Sequence, residues 1–190
     1  MALSAWITGG LHLDGLMDAA DGLAAGRERC LEAMDDSRVG ASGVQALLVV
    51  TFLQLAALLR LGHWAPLALP IAAFWGRCAP IWAINRFSYL REQKLGTAAF
   101  HRRHAQGWRE AWPALMLLLV VVVGVLTLPL GASYRGFLLM GIGVGAVPAM
   151  LVPEILGRRL GGHSGDSYGA SLVLVETFTL LLMALLCKAG

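Results

Sequence analysis

Five apolar runs and three polar stretches organise the chain. From Val44 to Leu61 the polar side chains are confined to Gln45, Thr51, Gln54 and Arg60. This predicts a helix of the length, about 20 residues, that crosses a bilayer core of about 30 Å, with Arg60 reaching back to the interface. Trp64 to Ile84 predicts a second span, carrying Arg77 and kinked or broken by Pro66, Pro70 and Pro80. Trp112 to Leu130 is almost pure Leu and Val, and Phe137 to Val152 places Gly141 and Gly145 at the small-xxx-small spacing of closely packed membrane helices, with Pro153 ending it. Ala170 to Cys187 is the fifth run, interrupted by Glu176. The expected fold is all-α: a polytopic integral membrane protein of about five transmembrane helices, one membrane-embedded domain over residues 1–190.

Composition agrees with that reading. Hydrophobic residues make up 57% of the 190 and charged residues only 14%, with a mean hydropathy of +0.68, which is outside the range of soluble domains. Cys30, Cys78 and Cys187 are odd in number and lack metal-ligand spacing, so no disulfide framework is expected. Residues 1–11 have neither a basic start nor a long apolar run, so no cleavable signal peptide is expected there. The net charge of +3 gives no reason to expect a nucleic-acid partner.

The distribution of charge says more than its sum. Five spans put residues 1–42, 85–110 and 153–169 on one side. That side carries Arg27, Arg29, Arg38, Arg86, Arg91, Lys94, Arg102, Arg103, Arg109, Arg158 and Arg159, eleven basic residues against Arg60, Arg135 and Lys188 opposite. The bias assigns the polar stretches to the cytoplasm. Anionic lipid outside the spans accounts for much of the basic loop's charge. Arg77 and Glu176 lie inside apolar runs, where an ionisable group is costly, and are expected to be functional or paired.

Chemistry concentrates between residues 12 and 42, which hold seven of the twelve acidic residues. A helix is expected through the first aspartates, then a glycine-rich break near Gly22 to Gly26, a short amphipathic helix from Arg27 to Met34, and a loop at Ser37 to Gly40. On the first helix Asp14, Asp18 and Asp21 fall within an arc of roughly 60°. Three like charges so close are driven toward protonation unless a cation sits among them, and oxygen-only ligands favour Mg²⁺ or Mn²⁺. A solvated acidic helix end is the plainer alternative. His12 fits a hydrogen-bond donor, a base or an interfacial histidine equally well. Asp35 and Asp36 fit caps of the short helix better than metal ligands, while Ser37 and Arg38 are candidates for phosphate contact. In the run Gly161-Gly162-His163-Ser164-Gly165-Asp166 the glycines offer backbone N–H groups to a phosphate, and Asp166 is placed to complete a second metal site or to activate a hydroxyl.

Three blocks, in order, carry a resemblance. His12-x-Asp14-Gly15-Leu16-x-Asp18-x-x-Asp21-Gly22, then Met34-x-Asp36-Ser37-Arg38-x-Gly40, then Leu160-Gly161-Gly162-x-x-Gly165-Asp166-x-x-Gly169-Ala170 resemble the cobalamin synthase family, the adenosylcobinamide-GDP ribazoletransferases. The resemblance covers the chain almost end to end. It implies a Mg²⁺-dependent enzyme of the bacterial inner membrane that joins adenosylcobinamide-GDP to α-ribazole, or to its 5'-phosphate, and releases GMP. It also implies further apolar chain ahead of the first block, which here begins at His12.

On that expectation Asp14, Asp18 and Asp21 hold Mg²⁺, and Asp166 or Asp21 accepts the hydroxyl proton, with His12 beside them. Arg38, Ser37, Gly161, Gly162 and Gly165 contact phosphate. Membrane lipid is the surroundings, and a homo-oligomer stays open. Asp18-x-x-Asp21-Gly22 with Ala25 and Arg27 is also similar to the start of the CDP-alcohol phosphotransferase motif, whose Gly-x-x-x-Asp-x-x-x-Asp continuation is missing here. A cation-handling membrane protein is the alternative from another class, and Glu176 as the one acidic residue well inside a span speaks against it.

Overall fold

The structure, a computed structural model, describes residues 6, 8–91 and 103–187. Lys94, His101 and Arg102 of the basic loop, and Lys188, lie outside the described residues. Seven α-helices follow one another among those described: α1 (Leu11–Ala24), α2 (Cys30–Asp35), α3 (Ala41–Leu61), α4 (Ala65–Arg86), α5 (Trp112–Thr127), α6 (Ala132–Leu160) and α7 (Gly165–Leu186). Four continuous helical stretches have the length and hydropathy of a bilayer span: Ala41–Arg86, Gly107–Thr127, Ala132–Leu160 and Gly165–Leu186. The first contains both α3 and α4, joined by a 3-10 turn at Gly62–Trp64, where Gly62 adopts φ +53°. The protein is an all-α polytopic membrane protein, as its apolar pattern predicts.

Side-chain contacts fix how the helices run. Gln54 Nε2 donates to Thr177 Oγ1 (2.7 Å) and Arg60 Nε donates to the Ala184 carbonyl (2.7 Å), so numbering rises together and α3 is parallel to α7. Ala68 and Ala72 cluster with Leu180, Met183 and Ala184, while Gly76 faces Leu172 and Glu176, so α4 is antiparallel to α7. Gly145 of α6 meets the Trp75 ring and Gly157 meets Phe87, which sets α6 parallel to α4. The small residues at Gly141 and Gly145 act as their spacing implies: Gly141 abuts Met183, and Gly145 leaves room for the indole that any Cβ would strike.

Helix α7 is the axis of the bundle. Residues 167–173 are buried without interruption, and α1, α3, α4 and α6 all pack on it. By contrast α5 exposes Leu115, Leu117, Leu119 and Val120, the composition of a lipid-facing helix. The start of α3, the ends of α4 and α6 and the start of α7 therefore lie at one end of the bundle, together with α1 and α2. The three polar stretches meet there.

Two sequence expectations need correction, and one open choice is resolved. Pro153 does not end the fourth run: α6 continues through it to Leu160. A proline forfeits only its own N–H, and the carbonyl of Pro153 is not wasted, because His163 Nε2 donates to it (2.9 Å). Residues 154–160 are thus the last turns of a helix rather than loop. At about 1.5 Å per residue, the 29 residues of α6 exceed a bilayer core of about 30 Å, and the surplus carries Glu154, Arg158 and Arg159 into polar surroundings. Likewise Pro70 and Pro80 leave α4 unbroken, with Pro66 in its first turn, where the N–H is free anyway. Arg77 and Glu176 pair with each other at 3.2 Å, the cheaper of the two readings for charges in apolar runs.

Candidate active site

The site begins with the two faces of α1. Gly9 and Gly10 have φ of +60° and +77°, a turn that glycine enters without strain, and α1 starts after it. Gly15, Ala19 and Gly22 form a buried row. Gly15 lies against the backbone of Asp166, and Gly22 against Cys30 and Met34 of α2. One position earlier in each case stand Asp14, Asp18 and Asp21, about 100° around the helix. Small residues therefore bring α1 onto the start of α7, and the acidic row is carried to the edge of that contact. A Cβ at Gly15 would fall 2.7 Å from the Asp166 carbonyl oxygen and 3.0 Å from its Cα. Both are main-chain atoms that cannot rotate aside. Gly15→Ala is expected to cost about 1–3 kcal/mol and to lower turnover by pushing the two halves of the site apart; thermal unfolding in detergent and a transfer assay read the two effects separately.

Across from the acidic row stands Asp166, in the first turn of α7, where the helix dipole favours a carboxylate. Ser164 caps α7 in a reciprocal capping box with Ser167. Arg91 then joins three segments: Nη1 donates to Asp166 Oδ2 (2.8 Å) and Nη2 lies 2.9 Å from Asp35 Oδ1. Its side chain is only 14% exposed, so this ion pair is worth more than a solvated one. Burial first, then the charges of Asp14 and Asp166, push the Asp18 carboxyl up to about 6, against a smaller opposing effect of Arg91. Burial is thus the main cause of that shift, with the neighbouring carboxylates adding to it.

His12 lies half-buried beside Gly169, and burial followed by the nearby Arg77 charge holds its imidazole below the ordinary histidine range. That shift favours the neutral imidazole.

Asp21 takes a different part from the one its spacing suggests. Its two oxygens accept the backbone N–H groups of Gly40 and Gly43, each at 2.8 Å, and so satisfy orphan donors at the start of α3. A carboxylate held this way acts as a joint between α1 and α3. Glycine is needed opposite it, since a Cβ at Gly40 would strike the carboxylate. Among the described residues, no group of three or more His, Cys, Asp or Glu side chains is gathered into a ready-made metal site. The donor set nonetheless suits a hard divalent cation: carboxylates alone, with one of them raised by its like-charged neighbours.

The glycine-rich turn also differs from expectation. Gly161 and Gly162 both donate their N–H to the Gly157 carbonyl at 2.9 Å, His163 N–H donates to Ser88 O at 2.9 Å, and Ser164 N–H donates to Ser167 Oγ at 2.8 Å. These amides are spent on closing α6 and opening α7, so Gly161 and Gly162 do not form a phosphate cradle. Helix ends require such donors, and Gly161 at φ +82° is a left-handed C-cap. Gly165 lies at the first position of α7, with its N–H directed to the Tyr89 hydroxyl, and is likewise part of the frame. Arg38 and Ser37 are not brought onto the carboxylates. Arg38 forms a fork on Asp36, with contacts of 2.7 to 3.2 Å, on a side chain 88% exposed; this fork holds the Asp36 carboxyl down to about 2.

Two residues that sequence reasoning passed over organise the site. Arg91 was one of six basic residues in a loop, and nothing in its neighbourhood singled it out. His163 is fully buried. Its Nε2 faces the Pro153 carbonyl and must donate, leaving Nδ1 to accept from the Ser167 hydroxyl at 2.9 Å. Burial keeps it neutral. Leu90 N–H donates to His163 O (2.7 Å), which pins residues 88–90 to the turn and delivers Arg91 to Asp166. The signal available in sequence was a histidine flanked by glycine and serine, the weakest part of its motif.

The family profile described as Cobalamin-5-phosphate synthase matches residues 1–184. Proteins named adenosylcobinamide-GDP ribazoletransferase match over the whole chain, at 71% identity from Prochlorococcus marinus MIT 9303 and 69% from strain MIT 9313, the alignments spanning 74% of each relative. A relative of the same name from Thermosynechococcus vestitus is 42% identical over 97% of this chain and 70% of its own length. No solved structure matches the chain. With a family profile matched over nearly all its residues and relatives this similar, the chain belongs to the cobalamin-5-phosphate synthase family.

Proposed function

We propose that the chain transfers the cobinamide phosphoryl moiety of adenosylcobinamide-GDP to a ribose hydroxyl of α-ribazole, or of its 5'-phosphate, releasing GMP. Family membership supplies the coarser statement, a membrane-embedded transferase of cobalamin synthesis. The relatives' name supports the two substrates. The observation that carries the chemistry is the meeting of the Asp14–Asp18 edge of α1 with the Asp166–Arg91 pair at the start of α7. The positive-inside bias supports placing that end at the cytoplasmic face of the bacterial inner membrane.

In this reading Asp14 and Asp18, with Asp166 across from them, would hold Mg²⁺. When bound, the ion supplies neutralisation of diphosphate charge that shifts toward the leaving GMP. The acceptor hydroxyl bonds to the phosphorus next to the cobinamide arm, the bond from that phosphorus to the GMP oxygen breaks, and the hydroxyl proton passes to a carboxylate. Asp166 is the better base, because Asp21 is engaged by Gly40 and Gly43. Arg91 orients Asp166 through its Nη1 donor at 2.8 Å. His12, neutral beside Arg77, is suited to donate a hydrogen bond to substrate. The test is GMP release from adenosylcobinamide-GDP by purified protein in detergent. Release that needs both α-ribazole and Mg²⁺ is expected, and none with either acceptor at any Mg²⁺ concentration would overturn the reading.

A further inference from the structure

A second polar feature lies behind the carboxylates. Gly22, Leu23 and Gly26 at the end of α1, Arg27 and Cys30 leading into α2, and Arg159 near the end of α6 line a half-open cleft of about 230 Å³. Among the described residues no carboxylate lines it. Arg27 reaches over the α6 cap, its Nη2 lying 3.4 Å from where a Gly161 Cβ would stand. Five other arginines at this end of the bundle have acidic partners: Arg29 meets Glu32, Arg38 meets Asp36, Arg86 and Arg158 meet Glu154, and Arg91 meets Asp35 and Asp166. Among the described residues, Arg27 and Arg159 meet no carboxylate, yet they line the same cleft. The cleft adjoins the active site. Gly22 follows Asp21 directly, and Arg91 acts electrostatically on Cys30 in the cleft wall.

We infer that this cleft is an anion subsite that takes the phosphomonoester of a nucleoside monophosphate, held between the Arg27 and Arg159 guanidiniums. The identification rests on the proposed transfer, which offers two groups of that chemistry: the 5'-phosphate of a phosphorylated acceptor and the phosphate of departing GMP. Two unpaired guanidiniums suit a dianionic phosphate better than any neutral group, since each presents a planar fork of donors to its oxygens. Gly26, with open space where a Cβ would stand, keeps that wall of the cleft low. The competing account is that the arginines merely offset the negative end of the α6 dipole. It needs no ligand and predicts no phosphate affinity.

The experiment compares the full chain with R27Q/R159Q and with R27K/R159K, in detergent. Binding of inorganic phosphate and of GMP is measured first, in buffer free of divalent cations, where the carboxylates repel anions. Steady-state transfer is measured next, with α-ribazole 5'-phosphate and with α-ribazole. The Gln pair is expected to weaken phosphate binding about tenfold, the loss of a charge-assisted contact in partly solvated surroundings, and the Lys pair to restore part of it. If the acceptor's phosphate occupies the cleft, the KM for α-ribazole 5'-phosphate rises about tenfold more than that for α-ribazole. If GMP occupies it, product inhibition by GMP weakens by a similar factor and the two acceptors shift alike. Equal phosphate affinity in wild type and the Gln pair, or a loss of thermal stability alone, would overturn the subsite in favour of the dipole account. Should wild type show no transfer at all, the proposed function fails, while the binding arm still decides what the cleft does.

Discussion

Asp18→Asn is expected to lower Mg²⁺-dependent GMP release by at least about 10²-fold, because removal of one carboxylate from a cation site forfeits several kcal/mol of charge stabilisation in the transition state. The fold should survive it. Asp18 is crowded by Asp14 and Asp166, so removing its charge relieves repulsion, and the substituted protein should unfold at an equal or higher temperature without metal. Loss of activity together with unchanged or increased stability separates a functional carboxylate from a structural one; full metal-dependent turnover would remove Asp18 from the site.

The same carboxyl gives a pH dependence of definite sign. Its folded pKa of about 6 lies above the ordinary carboxylate value of 3.8. Between these values the folded state binds more protons than the unfolded state, so this group makes stability fall as pH rises from about 4 to about 6. Above that window a divalent cation can replace the lost proton. Added Mg²⁺ should therefore raise the unfolding temperature at about pH 7.5 and do much less at about pH 5. Chelation should reverse the rise. Equal stabilisation at both values would show that the ion acts elsewhere.

His163→Ala carries the largest expected loss of stability, about 3 kcal/mol, since it leaves a buried carbonyl at Pro153 without its donor and opens a cavity between Phe87 and Tyr168. The effect reaches the chemistry at second hand. His163 holds the turn that caps α7 and pairs with residues 88–90, and these in turn set Asp166 and Arg91. Turnover should fall while acceptor KM changes less, as for a residue that positions a catalytic group without touching substrate. Equilibrium unfolding in mixed micelles and initial rates below the melting range measure the two parts. His163→Gln, which keeps a donor, should recover some of each.

How much of this was readable along the chain depended on the range of the interaction concerned. The apolar runs gave the bundle because a bilayer admits few alternatives: backbone groups must be satisfied within each segment, so a run of about 20 apolar residues becomes a helix. The aspartates of α1 were legible for the same local reason, since three- and four-residue spacings align side chains on a helix whatever surrounds it. Helix ends were harder. Pro153 reads as a stop, yet α6 continues through it to Leu160. Gly161 and Gly162 read as a phosphate loop because sequence gives the freedom of glycine and not the destination of its amide, which is the Gly157 carbonyl.

The sequence by itself determined an all-α membrane protein with its polar segments at one end, an acidic helix among them, and three motif blocks whose order marks the family. Tertiary structure decided what each of those acids touches. Asp21 belongs to the same row as Asp14 and Asp18, yet it is taken by the N–H groups of Gly40 and Gly43, while Asp166, from the far end of the chain, stands near Asp18 with Arg91 between Asp166 and Asp35. Periodicity along one helix is a short-range property and survives in sequence. The choice of partner across helices follows from how Gly15 and Gly22 let α1 settle against α7 and α2, and that contact exists only once the chain has folded.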